Sequence, residues 1–209
     1  MSARLLVVAF LALAAGIAAA ADAALAISVQ GRVTRLGEAS PGAIEALVRL
    51  REGDRLALEP GSRLRLVYFD NGRQETWSGP GRLEVTTREG RPDGLAAAET
   101  RSLSMAAARQ IARTPDAGDP RPARTRAVPT PDALGRLDEA YRSLRASRAD
   151  ADDLSPEIYL LSGLFELREF DRVERAMADL QQERRGNPEA GLLVALYRKA
   201  VRNARESRK

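Results

Sequence analysis

The chain of 209 residues contains no cysteine and no histidine. Without cysteine it can form no disulfide, so its stability has to come from packing. Without either residue it cannot build a Ser-His-Asp or Cys-His catalytic group, and the usual ligand sets for zinc, copper and haem iron are missing. We therefore predict a protein that is not an enzyme, with no catalytic residues, no metal site and no cofactor.

Carboxylates are the remaining candidates for catalysis. A glycosidase needs two of them facing each other across a cleft. Four occur in the most regularly patterned part of the chain: Asp54, Asp70, Glu75 and Glu84. Each lies near an arginine or in a predicted turn, so we expect all four to be solvated surface groups.

Aromatic residues are also scarce, at 4% of the chain, and the formal net charge is only +4. A protein that binds nucleic acid is expected to show a basic face with interleaved aromatic residues. The charges of this chain are spread evenly instead, which argues against a nucleic acid partner.

The long apolar run of the chain lies at residues 5–16, directly after Arg4. Small residues follow it at alternating positions, in Ala21-Asp22-Ala23 and Ala24-Leu25-Ala26, and this is the pattern of a secretory signal peptide over residues 1–26. The alternative is a membrane anchor, but residues 5–21 are shorter than the roughly 20 residues that a span needs. We expect a periplasmic or secreted bacterial protein that meets the membrane only through its uncleaved signal.

Composition divides the rest of the chain into three parts. Residues 114–131 hold five of the eleven prolines and few large apolar side chains, which predicts an extended linker. Residues 27–113 before it have a hydrophobic period of two, and residues 132–209 after it have a helical period. We therefore expect two modules that fold independently of each other.

The first module alternates apolar and polar residues between turn signals. Leu64, Leu66 and Tyr68, for example, share one face of a predicted strand. Asn71-Gly72 predicts a type I′ hairpin turn, in which both residues have positive φ. Short strands of this kind must close into an antiparallel sandwich or barrel to cover their apolar faces.

Several segments of this module resemble the FecR-type periplasmic domain, whose members are compact β folds. They are VQGRV at 29–33, EGDRL at 52–56, GSRLRL at 61–66, DNG at 70–72 and GPGRLEV at 79–85. FecR regulators carry a cytoplasmic arm that engages a sigma factor, a transmembrane helix, and a periplasmic domain that receives a signal from an outer-membrane receptor. Only four residues precede the apolar run here, so we expect the resemblance to extend to the exported module alone.

The second module contains an internal repeat. Its first and third predicted helices share a pattern offset by 36 residues, and its second and fourth share one offset by 32 residues; the apolar positions of the first pair are Leu134, Leu137, Ala140, Tyr141 and Leu144, then Phe170, Val173, Ala176, Met177 and Leu180. These offsets bracket the 34-residue spacing of tetratricopeptide hairpins, which the helices resemble. The alternative is a plain four-helix bundle, which would leave no groove for a ligand.

Basic residues predominate near the C-terminus, where Glu206 is the one acidic residue. They are Arg198, Lys199, Arg202, Arg205, Arg208 and Lys209. Cations stabilise the C-terminal end of a helix through its dipole, which explains their position. Contact with anionic lipid or wall polymer is the alternative explanation.

These features predict an α+β protein with an N-terminal all-β module and C-terminal helical hairpins. We expect it to act in the cell envelope as a non-catalytic module that binds another envelope protein, in signalling or assembly. The alternative is a binder of wall polymer or carbohydrate. The candidate binding surface lies on the β module and consists of Tyr68, Arg73, Trp77 and Arg82. The sequence does not indicate an oligomeric state.

Overall fold

The structure is a computed structural model that describes residues 21–37, 42–115, 132–147, 150 and 152–206. The predicted fold class is confirmed, because these residues form β-strands up to Ser102 and helices from Met105 onward. The strands are β1 (Asp22–Gln30), β2 (Val33–Leu36), β3 (Gly42–Ala43), β4 (Val48–Arg51), β5 (Arg55–Leu58), β6 (Arg63–Tyr68), β7 (Arg73–Ser78), β8 (Gly81–Val85), β9 (Gly90–Asp93) and β10 (Glu99–Ser102).

The described residues form five helices after the strands. They are α1 (Met105–Ile111), α2 (Ala133–Ala146), α3 (Ser155–Glu166), α4 (Phe170–Glu183) and α5 (Pro188–Glu206). The last four pack consecutively as two hairpins, α2 with α3 and α4 with α5. Residues 1–20 of the predicted signal peptide and residues 116–131 of the predicted linker lie outside the described residues. The last residues of the predicted signal, 22–26, form the start of β1.

The strands form two antiparallel sheets. The inner sheet has the order β10-β7-β6-β1-β4, and the outer sheet has the order β3-β2-β5-β8-β9. A hydrophobic core fills the space between them. The inner sheet contributes Ala24, Ala26, Leu50, Leu64, Leu66, Tyr68 and Trp77, and the outer sheet contributes Val33, Leu56, Leu58, Leu83 and Val85. The β module is therefore a sandwich, as its period of two predicts.

The second face of the inner sheet is covered by the helices. Leu25, Ile27 and Val67 alternate with the sandwich residues and belong to one hydrophobic cluster with the buried side chains of α1, α3, α4 and α5. The molecule thus has three layers, and its middle layer is buried on both sides. The sequence predicts two modules that fold independently, whereas this shared cluster leads us to expect that each depends on the other, because the apolar side chains of the second face need the helices to shield them from water.

Polar side chains surround this contact between sheet and helices. Ser28 Oγ donates to Glu189 Oε1 at 2.7 Å, and Arg65 Nη2 donates to Asp150 Oδ2 at 2.7 Å. A small cavity of about 160 Å³ lies between these two pairs and is lined by charged groups of both signs. We call these two hydrogen-bonded pairs, Ser28 with Glu189 and Arg65 with Asp150, the polar seam. It joins strands to helices through directional contacts, which fix their orientation better than apolar packing alone.

The hairpin turn between β6 and β7 differs from the predicted type I′ turn. Gly72 has a φ of 68°, but Asn71 is not among the residues with positive φ. The connection has four residues, and the Gly72 N–H donates to the Tyr68 carbonyl at 3.1 Å. A longer loop that ends in one left-handed glycine therefore replaces the two-residue turn.

No helix in the described part of the chain is long and apolar enough to cross a membrane.

Candidate functional site

The four residues of the predicted binding surface do not form an exposed surface. Tyr68 and Trp77 are buried between the two sheets, with 0% and 4% of their surface exposed. Arg73 is half-buried beside them, whereas Arg82 lies on the outer sheet and is exposed. The reason is the strand register, which points Tyr68 and Trp77 toward the outer sheet. The sequence shows that these residues alternate but not which face is covered.

Three of these residues instead surround a buried carboxylate, Glu75. Its oxygens accept hydrogen bonds from Arg73 Nε at 2.5 Å, Trp77 Nε1 at 3.0 Å and the Gly90 N–H at 2.9 Å. The expectation that Glu75 is a solvated surface group is wrong, since only 1% of it is exposed. Burial and the charge of Glu75 raise the pKa of the Tyr68 hydroxyl, so this tyrosine stays protonated.

Glu75 and its donors form a structural centre of the sandwich. A buried carboxylate that accepts three hydrogen bonds, one from a guanidinium, has its charge compensated. Gly90 is part of this arrangement, because a side chain there would approach Leu83 and Glu75 to 2.7 and 3.0 Å. The carboxylate thus lies within the core of the sandwich, where its hydrogen bonds connect β7 to the start of β9.

The helical layer has a groove that is open to solvent. Its walls are α2 and α4, its floor is α3, and its volume is about 680 Å³. We call it the α2–α4 groove. It is lined by Asp138, Tyr141, Arg142, Leu160, Leu164, Arg172, Arg175, Ala176 and Asp179. Of the neighbouring helices, α5 contacts β1, and α3 contacts α1, the short helix that follows the strands.

Charged contacts hold the two walls of this groove at a fixed separation. Arg172 Nη2 on α4 donates to both carboxylate oxygens of Asp138 on α2, at 2.9 Å each. Deeper in the layer, Tyr141 donates to Glu157 at 3.4 Å. Burial and the charge of Glu157 raise the pKa of Tyr141, so its hydroxyl remains a hydrogen-bond donor at the groove.

The remaining lining of the α2–α4 groove suits a polypeptide ligand. Leu160 and Leu164 provide an apolar floor, and the exposed side chains of Arg142, Arg175 and Asp179 provide charges of both signs along the rim. An apolar floor with a polar rim is the usual composition of a protein interface. The internal repeat was the sequence signal for this groove, because it places α2 and α4 as equivalent neighbouring helices.

Within the described ranges, no group of three or more Asp and Glu side chains is placed to hold a metal ion. Comparison of the chain with protein-family models, with curated proteins and with solved structures finds no match.

Proposed function

We propose that this protein is an exported, non-catalytic component of the bacterial cell envelope that binds another protein through its helical layer. The observation that carries the proposal is the α2–α4 groove, with its apolar floor and its rim of both charges. The sandwich packs against the helical layer through β1 and the shared hydrophobic cluster. In this role the β module is a scaffold, which agrees with the lack of histidine and cysteine in its sequence.

Two further features support this proposal. The apolar run at residues 5–16 and the small residues after it have the pattern of an export signal. The β module resembles the FecR-type periplasmic domain in its turn and strand segments, and the helical hairpins resemble tetratricopeptide hairpins, a class of repeat that forms concave binding surfaces. Together these resemblances favour a role in envelope signalling or assembly.

The alternative, a binder of wall polymer or carbohydrate, depended on exposed Trp77 and Tyr68. Both side chains are buried in the sandwich. These two residues therefore cannot form an exposed aromatic platform for sugar rings. Protein binding is the function that the geometry favours.

Site-specific crosslinking in living cells tests the proposal. A photoreactive benzoylphenylalanine replaces Arg175 on the rim of the α2–α4 groove, and in a matched variant it replaces Arg55 on the outer sheet. We expect a discrete crosslinked partner from envelope fractions with the Arg175 variant and none with the Arg55 variant.

A charge-reversal variant, Arg142→Glu/Arg175→Glu, provides the second arm of this experiment. It should reduce recovery of the partner without changing the far-ultraviolet circular dichroism spectrum, because both side chains are exposed. Crosslinking from Arg55 alone, or from cytoplasmic fractions alone, would show that the protein works elsewhere or by another surface.

A further inference from the structure

A second groove of the helical layer lies between α4 and the C-terminal half of α5. It has a volume of about 810 Å³. Its floor is made by Met177 and Val201, which are 5% and 3% exposed, together with the small Ala178. Its wall on α5 carries Arg198, Arg202 and Arg205. We call it the α4–α5 groove.

The arginines of this wall form a row along one side of α5. Their spacing of i, i+4 and i+7 places them on one helix face over about 10 Å. Arg205 is paired with Glu174 at 2.8 Å and Asp171 at 3.0 Å. Arg198 and Arg202 are exposed, and in the part of the chain that the structure describes neither forms an ion pair. The groove therefore offers two free guanidinium groups beside an apolar floor.

The internal repeat indicates what kind of element fits here. On α2, the face that contains Asp138, Tyr141 and Arg142 lines the groove toward α4, which stands beside it. The equivalent face of α4, 36 residues later, contains Glu174, Met177 and Ala178, and it lines the α4–α5 groove. No further helix of the described residues stands beside it. A helix is thus the element that the repeat geometry accommodates at this position.

We propose that the α4–α5 groove binds one amphipathic helix of a partner protein, with an apolar stripe on Met177 and Val201 and acidic side chains on Arg198 and Arg202. Apolar anchors at helical spacing fill the floor, and carboxylates pair with the guanidinium groups in the geometry that arginine favours. The inference rests on the proposed protein-binding function and adds a second surface and the chemistry of its ligand.

The test uses the full chain and a synthetic probe. The probe is a fluorescent helical peptide of about 18 residues, with leucines at helical spacing on one face and glutamates flanking them. Two control peptides have the same composition in scrambled order, or lysine in place of each glutamate. We expect saturable binding of the probe alone, measured by fluorescence anisotropy, and weaker binding as salt concentration rises.

Two variants locate the binding. Arg198→Gln/Arg202→Gln should raise the dissociation constant about tenfold or more, because rim charges that pair with the ligand are lost. Ala178→Gln should block the floor without changing any charge. The control is Arg109→Gln/Arg185→Gln, which removes the same charge from exposed arginines on α1 and after α4. Circular dichroism confirms that each variant folds.

Several results would overturn the inference. Equal binding of the scrambled peptide, or an equal loss in the control variant, would show general attraction of acidic chains. If phosphatidylglycerol vesicles bind at Arg198 and Arg202 and displace all three peptides equally, the groove would be a lipid-binding surface. Self-association lost in Arg198→Gln/Arg202→Gln would show a second copy as the occupant. If partner crosslinking at Arg175 persists while the probe fails, this inference is wrong and the proposed function stands.

Discussion

Glu75 shows how much a single buried residue contributes to this fold. Its carboxylate can be buried in the sandwich because Arg73, Trp77 and the Gly90 backbone N–H donate hydrogen bonds to it. The single tryptophan of the chain is thereby fixed in the core rather than presented to a ligand. An aromatic residue next to arginines in a strand thus indicates either a binding surface or a charged structural centre, and only burial decides which.

We expect Glu75→Gln to lower the free energy of unfolding by about 1–3 kcal/mol, since one buried donor is left unsatisfied and Arg73 loses its partner. Arg73 is 39% exposed in its side chain, so water limits the loss. Urea unfolding followed by circular dichroism measures this change. Glu84→Gln is the control, because its ion pairs are exposed and long, at 3.7 and 3.9 Å. Equal effects of the two substitutions would contradict a structural role for Glu75.

At the scale of single elements, β1 joins all three layers. Its alternating residues Ala24 and Ala26 face the outer sheet, and Leu25 and Ile27 face the helices. A bulge in the pairing with β6 lies between Ala26 and Ser28. Because of this bulge both Ile27 and Ser28 reach the helical layer, where Ser28 binds Glu189.

The position of β1 restricts where an export signal can be cut. Every residue pair between β1 and β4 involves Asp22–Ala26, and among the described strands β4 pairs with β1 alone. Cleavage after Ala26 would therefore remove the strand pairing that holds β4 in the inner sheet. If the chain is exported as proposed, we expect the mature protein to begin at Ala21 or Asp22.

Intact mass measurement on the protein from a periplasmic extract checks this start. A recombinant chain that begins at Ile27 should be poorly folded, whereas one that begins at Ala21 should have the circular dichroism spectrum of the exported protein. A natively folded product that begins at Ile27 would disprove this role of β1.

The polar seam is a contact between elements whose contribution to stability should decrease at acid pH. Burial alone would raise the pKa of Asp150, but the Asp152 backbone N–H and the Arg65 guanidinium lower it below its usual value of 3.8. A carboxyl with a lowered pKa contributes stability that is present above its usual pKa and is lost as the pH falls through the lowered pKa.

Asp150→Asn should therefore cost about 1 kcal/mol of unfolding free energy near neutral pH, as expected for a partly exposed ion pair. The difference from the parent protein should shrink at an acid pH well below 3.8, because the carboxyl of the parent becomes protonated as the pH falls through its lowered pKa. Urea unfolding at both pH values measures it. A difference that is the same at both would mean that the substitution acts through packing and not through charge.

At the scale of the whole molecule, we expect the helices and the sandwich to depend on each other. Helix α1 precedes the linker, yet Gln110 and Arg113 bind Glu166 on α3. Arg49 on β4 donates to the carbonyls of Ala112 and Thr114 at 2.8 and 2.7 Å, which fixes the chain where it leaves α1. The hydrophobic cluster between inner sheet and helices adds to these contacts.

Limited trypsin digestion tests this dependence. The predicted linker, with Arg121, Arg124 and Arg126, should be cut first. We expect the two fragments to stay together in size-exclusion chromatography and to separate only in denaturant, because separation would expose the shared core. Fragments that separate in buffer and remain folded would instead support two independent modules.

The sequence by itself determined the kinds of element and their order. Alternation with turn residues predicted the strands, and the 32- and 36-residue offsets predicted two helical hairpins. These predictions succeeded because local periodicity records which face of an element is apolar.

Only the tertiary structure decided which element covers which face. In β6, Val67 faces the helices while Tyr68 faces the outer sheet. No local signal in the sequence shows which of the two faces packs against helices and which against a sheet. For the same reason the sequence did not indicate the burial of Trp77 and Glu75. The repeat indicated that α2 and α4 are equivalent helices, but the contact between Asp138 and Arg172 across the α2–α4 groove joins residues more than 30 positions apart. Side-chain alternation is a property of the chain, but burial depends on long-range packing that a local pattern does not contain.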